Sequence, residues 1–199
     1  MLRDAGIDPE VVVSGVDESD VSAPSTPALV SVLAERKAEV VAARRPDALV
    51  LGCDSLLDLD GDGLGKPASA SQALQVWQRL SGREATLFTG HCLIEAGRGR
   101  RIRGVASTVV RFGAPSETEI AAYVASGEPM GLAGAFSIEG LAAPFIEGID
   151  GDPGNVMGLS LPLLRRMLAE AGVAITDLWR TATRTHPDPP GLAGSAAPR

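Results

Sequence analysis

A chain of 199 residues, 45% hydrophobic and 22% charged, can bury one sizeable core, and no internal shift in composition marks a second domain of independent size. No apolar run approaches the roughly 18 residues needed to span a bilayer, and the opening Met1-Leu2-Arg3-Asp4 is not an apolar signal segment, so a cytoplasmic protein without a membrane partner is expected. A net charge of −7 argues against stable nucleic-acid binding, which needs a basic face, but leaves room for a phosphorylated small molecule held by a few local cations.

In chain order, Val11-Val12-Val13-Ser14-Gly15 reads as a strand. Ala28 to Arg44 reads as a helix, with Leu29, Val30, Leu33, Val40 and Val41 at helical spacing and Pro46 closing it. Ala48 to Cys53 is an apolar strand, followed by Ser55 to Leu59 and the hairpin signal Asp60-Gly61-Asp62-Gly63. Ser69 starts a helix that runs through Leu80 and stops at Ser81-Gly82.

Two long β-rich segments, Ala85 to Glu95 and Ile102 to Phe112, are joined by Ala96-Gly97-Arg98-Gly99 and predict an antiparallel pair. Ser116 with Glu119 is a capping box that opens a helix to Ala125. Pro144 to Ile149 reads as a further strand, and Leu161 to Ala171 as an amphipathic helix. This order predicts an α/β (α+β) domain over residues 1–182 built on one mixed, twisted sheet flanked by helices. Residues 183–199, rich in Pro, Gly and Ala, have too little apolar surface to offset ordering entropy and are expected to form a disordered tail.

The chemistry concentrates at Asp54. This carboxylate ends the apolar run 48–53 and is followed eleven residues later by the turn Gly65-Lys66-Pro67, a pairing suited to metal- or base-assisted attack on a phosphate ester or anhydride. Other signals are weaker. Cys53 and Cys92 have neither CxxC nor His spacing and read as small buried hydrophobes. His91 and His186 have no Ser or Cys partner at recognisable spacing. Gly61-Asp62-Gly63 lacks the distal Glu of a calcium loop, and Trp77 and Trp179 read as packing residues.

Four blocks resemble the Maf family of septum-formation-inhibitor-like nucleoside triphosphate pyrophosphatases. They are Val16-Asp17-Glu18; Leu33-Ala34-Glu35-Arg36-Lys37-Ala38; Gly52-Cys53-Asp54-Ser55 with Gly65-Lys66-Pro67; and Ala133 to Gly140. A fifth, Gly154-Asn155-Val156-Met157-Gly158-Leu159, follows in order, so that the match spans about residues 2–172. The resemblance implies a two-lobed α/β fold, similar to that of the inosine triphosphate pyrophosphatases, with a central cleft, frequently dimeric. It also implies hydrolysis of a nucleoside triphosphate between its α and β phosphates with a divalent metal cation, Mg²⁺ or Mn²⁺.

Carried over, the family's proton acceptor falls on Asp54, its phosphate-binding lysines on Lys37 and Lys66, and its early acidic residue on Glu18, which with Asp54 would hold the metal. Ser55 and Glu139 would face the nucleotide. An ionised Glu139 only accepts hydrogen bonds, which fits the adjacent N–H donors of guanine better than the alternating edge of uracil or thymine.

The family pattern also expects an apolar strand and a Ser-x-Ser-Pro-Arg-Arg loop before the position of Met1; a natural start upstream is expected, with a truncated enzyme as the alternative. Ser160 stands where the family usually has Pro. The competing functional readings are a non-catalytic, nucleotide-sensing regulator of cell division and an inosine or xanthosine triphosphate pyrophosphatase.

Overall fold

The computed structural model describes residues 1–180; the tail expected over 183–199 lies outside the described residues. Its helices and strands follow in the order α1 (Thr26–Arg44), β1 (Leu49–Leu59), β2 (Asp62–Leu64), α2 (Ala70–Leu80), β3 (Glu84–Glu95), β4 (Arg100–Phe112), α3 (Glu117–Ala125), β5 (Ile146–Gly151), α4 (Pro153–Val156) and α5 (Leu161–Glu170). The strands form one sheet in the order β2-β1-β3-β4-β5.

The α/β class matches the expectation, but every strand pair is antiparallel, whereas a mixed sheet was expected. Short connections explain most of this. β1 turns into β2 through Asp60-Gly61, both at positive φ (58° and 86°), as a two-residue hairpin requires. β3 turns into β4 through Ala96–Arg98 and Gly99.

Helix starts follow local chemistry. The side chains of Ser25, Ser69 and Ser160 accept from the backbone N–H of Ala28, Gln72 and Leu163, and Ser116 with Glu119 forms the complete capping box.

The strand expected at Val11–Gly15 is not formed. Residues 8–18 have no regular structure, and Val11 and Val13 are 80% and 83% exposed. Part of this segment borders a groove of about 480 Å³ beside Leu49–Leu51, making none of the ladder bonds that turn an extended β-prone run into a strand. On this side β1 is paired only at Leu57–Leu59, by β2, so Leu49–Leu56 form an open sheet edge among the described residues. The strand expected at Pro144 begins at Ile146, after a short 3₁₀ turn over Ala143–Phe145.

Side chains alternate across the sheet, and this sorts the core into three clusters. On one face, Leu57, Leu87, Val110 and Phe112 pack with Trp77, Ile120, Tyr123 and Phe136. Trp77 is fully buried, lies edge-on to Phe112, Tyr123 and Phe145 at 5.8, 5.2 and 5.7 Å, and donates from its indole N–H to the Ala135 carbonyl at 2.8 Å. Toward the other end of the same strands, Leu93 and Ile102 pack with Leu159, Leu164, Met167 and Leu168. Trp179, read as a packing residue, is half-exposed and lies over Gly6. The third cluster, Val50, Cys92 and Ile94, lies under Ala34 and Ala38 of α1. Cys53 and Cys92, both free thiols, fall in different clusters.

Two glycines set how α1 sits. A Cβ on Gly52 of β1 would meet the Ala34 carbonyl oxygen and lie 2.8 Å from Ala38 N; a Cβ on Gly90 of β3 would meet the Val30 carbonyl and lie 2.7 Å from Ser31 N. The helix backbone therefore rests directly on the strands. Gly90→Ala should destabilise the protein by about 3 kcal/mol or more in denaturant unfolding, because backbone rather than a flexible side chain would have to yield. Gly131→Ala, whose Cβ would meet nothing within 4 Å, should change stability by less than about 0.5 kcal/mol.

Candidate active site

Seating α1 on Gly52 and Gly90 brings Lys37 over Asp54, which lies directly across the β1–β3 ladder from Gly90. Lys37 Nζ donates to Asp54 Oδ1 and is 2.7 Å from Glu18 Oε1. A local turn, in which Asp17 Oδ1 accepts from Ser19 N at 2.9 Å, encloses Glu18. Exposure falls from Glu18 at 47% to Lys37 at 24% and Asp54 at 12%, so one ammonium links a rim carboxylate to a buried one.

Asp54 and Ser55 are adjacent in a strand and point to opposite faces, yet both border one cleft of about 520 Å³. They do so because β1 is unpaired on its outer side at this point. Lys37 and Lys66 border the same cleft, as do Phe136, Ser137 and Glu139 on one wall and Val156, Met157 and Gly158 on another.

The Phe136 wall is anchored at Ala135, whose carbonyl accepts from both Trp77 and Tyr123. Gly134 N donates to Gly65 O at 3.1 Å, which ties this wall to the lysine turn. Glu139 N donates to Ser137 Oγ at 3.1 Å.

Sequence reasoning thus named Asp54, Ser55, Lys37, Lys66 and Glu139, and the fold gathers all five at one cleft. Glu18 is outside the cleft lining and joins the group through Lys37. What the sequence did not reveal is a polar band between the two apolar clusters on the face opposite α1. There Thr89, His91, Thr108 and Asn155, all essentially inaccessible, fasten the segment 152–160 to the sheet.

Asn155 Nδ2 donates to Leu87 O and to Thr108 Oγ1, both at 3.1 Å, and Thr108 Oγ1 donates to Asp152 O at 2.9 Å. His91 accepts from Ser160 N at Nε2 and donates from Nδ1 to Thr89 O, both at 3.0 Å, so its neutral form carries the proton on Nδ1. The sequence signal available for this band was polar residues at inward positions of β3, Thr89 and His91 on the same face as Leu87 and Leu93.

Burial sets the electrostatics. It pushes Asp54 above the ordinary carboxylate range, the hydrogen bond and charge of Lys37 only partly offset this, and Glu18 pushes in the same upward direction as burial. For Lys37 burial acts downward, but hydrogen bonds to Asp54 and Glu18 outweigh it and leave the ammonium more firmly protonated than usual. Desolvation lifts the Cys53 thiol to about 12, so the cysteine beside Asp54 is not a thiolate at neutral pH.

The comparison with known protein families decides the lineage. A family model described as Maf-like protein matches residues 1–171. The chain belongs to the Maf family. It is 60% identical over 185 residues to a protein of Streptomyces coelicolor named nucleoside triphosphate pyrophosphatase, covering 92% of this chain and 89% of that one. It is 59% identical over 182 residues to a Streptomyces avermitilis protein of the same name, covering 90% of this chain and 88% of the other. A Salinispora tropica protein, again so named, is 53% identical over 193 residues, covering 94% and 85%.

The buried imidazole gives this Maf protein a measurable acid sensitivity. Burial lowers the His91 pKa below the ordinary value of 6.5, so between the two values the unfolded chain binds the proton and the folded chain does not. The stability that depends on neutral His91 is therefore complete above about pH 6.5 and is lost as pH falls through the folded-state value. Between about pH 7.5 and pH 5, the unfolding free energy of the wild type should fall more steeply than that of His91→Gln, which cannot titrate.

Proposed function

We propose that this chain hydrolyses nucleoside triphosphates to the nucleoside monophosphate and pyrophosphate, in the cytoplasm and without nucleic-acid or membrane partners. The observation that carries this reading is Lys37, held between Asp54 and Glu18 at a cleft that Lys66, Ser55 and Glu139 also border, in a chain whose relatives bear the name of that activity. The cleft falls in the range of small-ligand sites, roughly 300–1,000 Å³.

Asp54 acts as proton acceptor. Its Oδ1 is engaged by Lys37, and Oδ2 has no hydrogen-bond partner among the described residues. A carboxylate raised by burial is a stronger base than an ordinary aspartate. Water attacks the α phosphorus, the bond from that phosphorus to the α,β-bridging oxygen breaks, pyrophosphate departs, and the proton of the attacking water passes to Asp54. Lys37 and Lys66 supply positive charge to the triphosphate, while Glu139 and Ser55 contact the nucleoside, with guanine the base best suited to an acceptor-only carboxylate.

Glu18 and Asp54 are a hard-oxygen pair bridged by the Lys37 ammonium; with that ammonium drawn to the substrate phosphates, the pair would fit Mg²⁺ or Mn²⁺ completed by phosphate oxygens. Held by Glu18 and Asp54, such a cation would withdraw charge from the anhydride.

Pyrophosphate release across a nucleotide panel tests the reading. Asp54→Asn should lower kcat by at least about a hundredfold while leaving thermal unfolding cooperative, and a chelator should remove the activity of the wild type. Nucleotide binding without pyrophosphate release in the wild type would transfer the reading to a nucleotide sensor.

A further inference from the structure

We propose that Thr89 is a positioning residue that fixes Ser55 as a pure hydrogen-bond acceptor toward the nucleotide. The inference rests on the proposed function only in taking a nucleotide as the occupant of the cleft. Ser55 and Thr89 are directly opposed in the β1–β3 ladder, and their hydroxyl oxygens are 2.8 Å apart. Thr89 is inaccessible to solvent, and its Oγ1 is also 3.0 Å from the Asn155 carbonyl oxygen.

Counting protons decides the direction of each bond. A hydroxyl has one hydrogen, and a carbonyl oxygen can only accept. Without the Thr89 proton between them, Thr89 Oγ1 and Asn155 O would face each other as two unshielded oxygens. The Thr89 proton therefore goes to Asn155 O, and the contact with Ser55 is made by the Ser55 proton. Ser55 Oγ points its only hydrogen into the protein and is left with lone pairs toward the cleft that it borders.

The relay is held at its far end. Asn155 is fully buried and donates through Nδ2 to Leu87 O and Thr108 Oγ1; Thr108 Oγ1 in turn donates to Asp152 O. The same carbonyl of Asn155 accepts from Gly158 N at 2.9 Å, in the stretch that forms the wall facing Ser55. The Thr89 bond thus orients the hydroxyl, while the wall beside it is held independently by Asn155 Nδ2, Thr108 and His91.

The substrate group that meets Ser55 must then be a donor, either a base N–H or a sugar O–H. A free serine would turn to suit either polarity. A serine whose proton is committed elsewhere discriminates, because an acceptor placed against it gains no bond and is repelled.

The test is the affinity of α,β-methylene nucleotide analogues by calorimetry, together with kcat and KM for pyrophosphate release. The proteins compared are wild type, Ser55→Ala, Thr89→Val, Thr89→Ser and the Ser55→Ala/Thr89→Val double variant. Thr89→Val keeps the shape and removes the relay; it should weaken nucleotide affinity about tenfold, Thr89→Ser should restore wild-type behaviour, and in the Ser55→Ala background Thr89→Val should add less than twofold.

Guanosine, inosine, 2′-deoxyguanosine and 3′-deoxyguanosine versions of the ligand separate base from sugar donors. One of them should lose about tenfold in wild type and nothing further in Ser55→Ala. Independent, multiplicative effects of the two substitutions, or a Thr89→Val variant that loses thermal stability but no affinity, would overturn the proposal.

If Thr89→Val does not fold, the analogue series on wild type and Ser55→Ala decides alone, and absence of any donor-dependent loss unique to wild type overturns it. Binding without turnover would count against the hydrolytic reading and leave this one to the affinities; turnover without the coupling would do the reverse.

Discussion

The site depends on a steric fact, the absence of two side chains under α1. With no Cβ on Gly52 or Gly90, the backbone of α1 contacts the strands themselves, and a helix seated at that depth brings Lys37 within bonding distance of Asp54. Residues on the outer side of α1 support the seat: Glu35 and Glu39 pair with Arg101 and Arg103 of β4. These pairs are largely exposed and contribute little energy, but they cross from helix to sheet and oppose rotation of α1 about its own axis.

That depth also creates the electrostatic tension of the site. Asp54 is nearly buried, and a lone charged carboxylate there would be costly, so the lysine that approaches it is part of what makes the position tolerable. The lysine only partly offsets the burial of Asp54, and the charge of nearby Glu18 adds to the upward push. The result is a carboxylate more basic than a surface aspartate and an ammonium more durable than a surface lysine. Both properties suit the proposed hydrolysis, in which the cleft would receive a polyanion and Asp54 would take up a proton.

Much of this was legible in the sequence where the determining physics is local. Serine caps, the Ser116–Glu119 box and the Asp60-Gly61 turn act within a few residues, and the four longer helices and the hairpin lie close to where they were read, whereas the short α4 was not read. The motif blocks brought Asp54, Ser55, Lys37, Lys66 and Glu139 together because their order reflects a shared ancestry rather than anything visible in periodicity. Local pattern failed at Val11–Gly15, since a strand is defined by a partner and β-propensity supplies none. It was equally silent about Thr89, Thr108 and Asn155, whose bonds to one another and to the wall span 44 to 66 residues of sequence.

The unbroken pairing of β1 with β3 from Leu49 to Asp58 bears on how the cleft admits its ligand. Both ends of the molecule are built on the same continuous strands, which pass beneath the cleft without an interruption at Asp54 or Ser55. A rigid-body hinge between two lobes would have to bend a hydrogen-bonded sheet across ten paired positions. Any change in the width of the cleft therefore falls to its walls, residues 131–139 and 156–158, and not to the paired strands beneath them.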